Sequence, residues 1–142
     1  MQSITLRKLS CAFGSVRAVD GIDLHVPAAS MCFLLGPSGC GKTTVLRMIA
    51  GFQQPTSGQV LFGERDVTEL AAERRDTGMV FQGYALWPHM SVFDNVSFGL
   101  EVRRVPAAER RTRVMQALEM VQMQHLAARR PGELSGGQQQ RG

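Results

Sequence analysis

Residues 36–44 read Gly36-Pro37-Ser38-Gly39-Cys40-Gly41-Lys42-Thr43-Thr44. They match the pattern G-x-x-x-x-G-K-[ST], in which a glycine-rich turn between a strand and a helix cradles phosphate groups. The flanks fit that context. An apolar run of strand length, Met31-Cys32-Phe33-Leu34-Leu35, comes before, and Lys42–Ala50 follows with Val45, Leu46 and Ile49 at helical spacing. Gly39 and Gly41 let the backbone curl so that successive N–H groups face one anion. The helix start near Lys42 adds its positive dipole end. Lys42 supplies a flexible point charge for β- and γ-phosphates, Thr43 a hydroxyl for Mg²⁺, and Thr44 a hydroxyl within reach of the α-phosphate. Gly36, Pro37, Ser38 and Cys40 complete the loop, so the reading is a nucleotide site.

Working outward, the 142 residues suffice for one domain, and 44% hydrophobic with 20% charged content is that of a globular chain. No apolar run approaches the roughly 18 residues that would suggest a membrane span, and the N-terminus "MQSITLRKLS" has no export pattern. Cys11, Cys32 and Cys40 form neither a disulfide framework nor a ligand pair and fit a reducing compartment. The net charge of +4 owes much to Arg103, Arg104, Arg110, Arg111 and Arg113. Glu101 and Glu109 interrupt that cluster, which reads as a solvated helix surface rather than a nucleic-acid or membrane contact.

Before the loop, "ITLRKLS" and "GIDLHV" predict strands, and after it so do "SGQVLFG" and "DTGMVFQ", the last ending in Gln82. The character then turns helical. Ser91 is an N-cap candidate for "VFDNVSFGLEV", with Asp94 in its first turn. Pro106 suits the first turn of a further helix, on which Val114, Ala117, Leu118 and Val121 line one face. Pro131-Gly132 interrupts the pattern before the closing "LSGGQQQRG".

Together with the phosphate loop, Val80-Phe81-Gln82 and Leu134-Ser135-Gly136-Gly137-Gln138 resemble, in order, the nucleotide-binding subunits of ABC transporters. The resemblance covers nearly the whole chain, and LSGGQ is far more specific to that family than the loop. It implies an α/β fold: a P-loop NTPase of the ABC type with an N-terminal β-subdomain, a partial parallel core sheet and a helical subdomain. Residues of about 1–82 would form the ATP-binding α/β part, about 83–134 a helical signalling subdomain, and 135–142 the start of the signature helix.

The resemblance also implies roles. Phe13 matches the aromatic position that stacks on adenine, the alternative being a core phenylalanine. Gln82 matches the glutamine that touches Mg²⁺ and the attacking water. Ser135, Gly136 and Gly137, with Gln138 beside them, match the signature that caps the γ-phosphate of an opposite subunit, which implies a head-to-tail dimer holding two ATP molecules. The stretch from Gly83 to Arg104 is similar to importers of polyamines, ferric iron, phosphonates and sugars. There Tyr84, Trp87, Pro88 and Met90 either meet a transmembrane permease subunit or pack beneath the helices, and His89 is a contact or packing residue. The implied setting is the cytoplasmic face of the plasma membrane, with permease subunits as direct partners, a solute-binding protein as an indirect one, and no nucleic acid.

Hydrolysis in that family needs an aspartate ending an apolar strand, a following glutamate as base, and a later histidine. None of these follows from the 142 residues: no apolar strand runs into Asp-Glu, and His25, His89 and His125 all precede the signature. The strands bearing the missing groups should lie between Met31–Leu35 and the Gln82 strand, so those two apolar runs lose their neighbours. The chain reads as the N-terminal part of an ATP-binding importer subunit, cut short after its signature. The alternatives are a non-hydrolysing nucleotide-binding module and a soluble ABC-type ATPase not tied to transport.

Overall fold

The computed structural model describes residues 2–141 and divides into two compact units, Met1–Met79 and Val80–Gly142. The first unit is built on an antiparallel sheet of order β2-β1-β3-β4, with β1 at Ile4–Phe13, β2 at Val16–Val26, β3 at Ser57–Phe62 and β4 at Arg65–Asp66. β1 is central, pairing Leu6 with Leu24 on one side and with Val60 on the other. Strict alternation along β1 would bury every second residue. A register shift between Leu6 and Leu9, where Lys8 takes φ 45°, inserts one extra residue. Leu6, Leu9 and Cys11 consequently all face inward, packing with Val19, Val60 and Val67 against Val45 and Met48 of helix α1 (Lys42–Ala50).

Helix α1 begins and ends at glycines, Gly41 and Gly51, both with positive φ. Its inner face differs in one position from the spacing argument. Val45 and Met48 are buried and Ile49 is half-buried, whereas Leu46 is exposed. Positions three and four apart share a helix face, and Leu46 lies a further 100° round from Val45.

Two expected strands do not form. Residues 31–35 and 79–82 carry no ladder among the described residues, and Met31, Phe33, Leu35 and Val80 are 82%, 73%, 90% and 96% exposed. A strand exists through hydrogen bonds to a neighbouring strand, so an apolar run without a partner strand is not one. Only Leu34 of the first run packs against the core.

The second unit is helical. Helix α2 (Val92–Val102) starts at Ser91, whose hydroxyl accepts from the Asp94 N–H at 3.1 Å while Asp94 accepts in return from the Ser91 N–H at 3.4 Å. This reciprocal cap satisfies two amides that a helix start leaves open. Ser91→Ala is expected to lower the stability of this unit by about 1 kcal/mol, read as a shift of the urea midpoint at unchanged slope. Helix α3 (Ala107–Met120) follows directly on Pro106, which caps it rather than sitting in its first turn. Val114 and Leu118 join Val92, Met123, Leu126 and Leu134 in a separate core, with Val121 packed at its edge. A short helix α4 (Gly136–Arg141) closes the described chain. Among the described residues no helix is long and apolar enough to cross a membrane.

Candidate functional site

The loop from Gly36 to Gly41 is an open turn leading into α1. Its tightness comes from below: Gly41 holds φ 91°, and a Cβ there would stand 2.4 Å from the Ala18 carbonyl oxygen of β2. Only a residue without a side chain lets the loop settle on that strand. The first α1 amide with an intrahelical acceptor is that of Val45, which donates to Gly41 O at 2.9 Å. The N–H groups of Lys42, Thr43 and Thr44 therefore open the helix without a backbone partner among the described residues, and no side chain from Gly41 caps them. Uncapped donors at a positive dipole end favour an anion.

Lys42 completes the electrostatics. Its ammonium donates to Gly36 O at 2.8 Å and Pro37 O at 2.6 Å, and lies 3.4 Å from Cys40 Sγ. The charge is folded over the mouth of its own loop, held by two neutral carbonyls that a phosphate oxygen would outcompete. Thr43 is exposed and its hydroxyl has no hydrogen bond among the described residues, so it is available to a cation carried by phosphates. No group of three or more His, Cys, Asp or Glu residues that could hold a metal occurs among the described residues.

Phe13 ends β1 opposite Val16, at the turn of the hairpin whose second strand supports Gly41. It is 50% exposed and outside the core cluster. An aromatic face is thus available on the same hairpin that carries the phosphate loop.

Gln82 and the signature residues belong to the second unit. Gln82 is exposed within a turn in which the Tyr84 N–H donates to Phe81 O at 3.0 Å. Tyr84 and Ala85 both take positive φ. Asn95 holds the segment beyond, accepting from the Trp87 N–H at 2.8 Å and donating to Ser91 O at 2.9 Å. Trp87 lies against Phe98 with ring centroids 4.4 Å apart, yet remains 39% exposed, as Tyr84 does at 40%. These aromatic groups are therefore partly packed on the helices and partly presented outward.

Ser135 precedes α4, and its N–H donates to Gln138 Oε1 at 2.9 Å while its own carbonyl accepts from the Gln138 N–H at 2.9 Å. Gln138 is thereby spent on the cap, and Ser135, Gly136 and Gly137 are left exposed. Gln139 Nε2 ties the turn to Pro131 O at 2.8 Å, and Leu134 anchors it in the helical core.

Two residues escape a reading of the sequence. Asn95 has no local signal, since its partners lie on the preceding loop. Arg75 is buried at 4% exposure, and its guanidinium makes hydrogen bonds only to main-chain carbonyls. Arginine looks like surface charge in a single sequence, and nothing near it announces burial.

The family model for ABC transporters matches residues 19–142. The spermidine/putrescine import ATP-binding protein PotA of Vibrio parahaemolyticus is 51% identical across 97% of this chain, and PotA of Thermobifida fusca is 53% identical across 98%. The sulfate/thiosulfate import ATP-binding protein CysA of Methylococcus capsulatus is 52% identical across 98%. This chain spans 37–41% of the length of those relatives. Among solved structures, the dimeric bacterial ABC transporter cassette MJ0796 superposes with a TM-score of 0.89 at 29% identity, over 97% of this chain and 66% of that one. The ATP-binding cassette MJ0796 bound to ADP and Pi superposes with a TM-score of 0.87.

Proposed function

The chain belongs to the ABC transporter family, and from that premise we propose that it binds ATP with Mg²⁺ through residues 36–44 and serves solute import. The observation that carries this reading is the helix start at Lys42: three amides without acceptors, no side-chain cap, and a lysine folded over the same mouth. In this reading the amides and Lys42 hold the β- and γ-phosphates, Thr43 ligates Mg²⁺, and Phe13 stacks on adenine. Gln82 senses the γ-phosphate side. Ser135, Gly136 and Gly137 serve the ATP of a second subunit in a head-to-tail dimer. When bound, Mg²⁺ neutralises charge on the phosphate oxygens.

The proposed partners are permease subunits at the cytoplasmic face of the membrane, met through the outward-facing Tyr84 and Trp87, with a solute-binding protein acting through the permease. Relatives named for polyamine import and for sulfate import match at nearly equal identity, so the solute is not written in these residues.

A second reading follows from the absence of an Asp-Glu pair after an apolar strand anywhere in the 142 residues. In this reading these residues by themselves bind nucleotide and do not turn it over, since the sequence offers no Asp-Glu pair after an apolar strand to supply a general base. A fluorescent ATP analogue titrated into the purified chain should bind saturably with Mg²⁺ and be displaced by ATP but not by adenosine, without phosphate release. Displacement by adenosine as effective as by ATP would refute a phosphate-centred site. Steady phosphate release abolished by Lys42→Ala would reject the non-hydrolysing reading.

A further inference from the structure

The other end of α1 holds a device that the proposed chemistry does not use. Arg75 Nη1 donates to Met48 O at 2.7 Å and Ile49 O at 3.0 Å, both in the last turn of α1. Nη2 donates to Thr68 O at 2.8 Å and Nε to Leu70 O at 2.7 Å, on the segment after β4. One planar group thus joins the carbonyl end of α1 to the segment after the sheet's edge strand, where a cation also suits the negative end of the helix dipole.

The fit around it is close. Gly51, the left-handed cap of α1 at φ 85°, passes so near that a Cβ would stand 2.7 Å from Arg75 Nε and 2.9 Å from Ala72 Cα. Burial pushes the guanidinium down from its ordinary value and the Asp66 carboxylate draws it back up. Asp66 is itself held low by its hydrogen bonds to Thr68. A buried cation whose hydrogen bonds go to main-chain carbonyls is a costly way to gain stability. It is an effective way to set geometry, because the fork fixes direction as well as distance.

We infer that Arg75 is a positioning residue for the phosphate site: it sets the tilt of α1 from its C-terminal end and so places Lys42 and the open amides at the other. Helix α1 has nine residues, a rod of about 13.5 Å. Its far end rests on Gly41 against Ala18 O, so a tilt at Arg75 moves the amides relative to the hairpin that carries Phe13. Arg75 does not touch nucleotide and acts through the helix alone.

The inference rests on the proposed ATP site, and the test separates the two. Arg75→Lys keeps a cation but loses the fork. In the purified chain it is expected to weaken binding of ATP with Mg²⁺ at least about tenfold while leaving AMP binding within about twofold. Both are read by titration at a temperature where circular dichroism shows native helix content. Equal ATP affinity in the folded variant overturns the inference and leaves the function standing. If the native chain binds no ATP, both fall. Should Arg75→Lys not fold, the Nε–H resonance of Arg75 in the native chain decides. It should shift on saturation with ATP and not with AMP, and an unmoved resonance at saturating ATP overturns the inference.

Discussion

Lys42→Ala is expected to weaken ATP binding at least about a hundredfold while leaving the fold essentially as stable as before. The ammonium is the only side-chain cation among residues 36–44, and it already lies over the loop, on Gly36 O and Pro37 O. Those bonds are made on an exposed surface, so their loss exposes two carbonyls to water rather than stranding them in a core. Alanine at the first position of α1 is a good helix former. What disappears is the charge that the phosphates would meet. Charge-assisted hydrogen bonds contribute about 1.5–3 kcal/mol each, and two of them set against 1.4 kcal/mol per decade give the stated loss. Titration calorimetry and a urea melt on one preparation check both halves. Affinity within about threefold of native would mean that the phosphates lie elsewhere.

Gly41→Ala should behave differently, losing binding and stability together. The residue sits at φ 91°, and the added methyl would meet the Ala18 carbonyl at 2.4 Å and Val19 Cγ2 at 3.2 Å. The backbone conformation alone costs about 1–3 kcal/mol for a residue with a side chain, and the Ala18 contact is with rigid main chain that has no rotamer to escape into. The loop must lift off β2, which takes the amides of Lys42, Thr43 and Thr44 out of register with Lys42 Nζ. A destabilisation of about 2–4 kcal/mol is expected, with ATP binding undetectable at millimolar nucleotide. An urea midpoint equal to that of the native chain would sink this account, since the overlap could then be absorbed without moving the strand. The contrast between the two variants distinguishes a residue that supplies charge from one that shapes the cradle.

The parts of the site that could be read from the sequence are those whose causes are local. Gly41 opens α1, and Lys42–Ala50 is helical as the spacing predicts. Ser91 caps α2 with Asp94 in return, because a hydroxyl and a carboxylate three residues apart need no distant partner. The ABC transporter identity was legible for the same reason: its motifs are contiguous words. Where a cause was remote, the reading was incomplete. Leu46 turned outward and Met48 inward because the sheet chose which stripe of α1 to cover.

The sequence by itself determined the phosphate-loop turn, the helix that follows it and the caps of the second unit, since each depends on backbone preferences and hydrogen bonds within a few residues. Tertiary structure alone decided three things. Residues 31–35 and 79–82 lie in no strand of the described sheet because strand identity is a property of pairs, not of apolar runs. Phe13 shares the parity of buried Leu9 and Cys11 yet is presented rather than buried, because the pairing of β1 with β2 shifts register again between Cys11 and Ala12. Arg75 is a clamp rather than surface charge because its acceptors, the carbonyls of Met48, Ile49, Thr68 and Leu70, converge only after α1 and the β4 segment have packed.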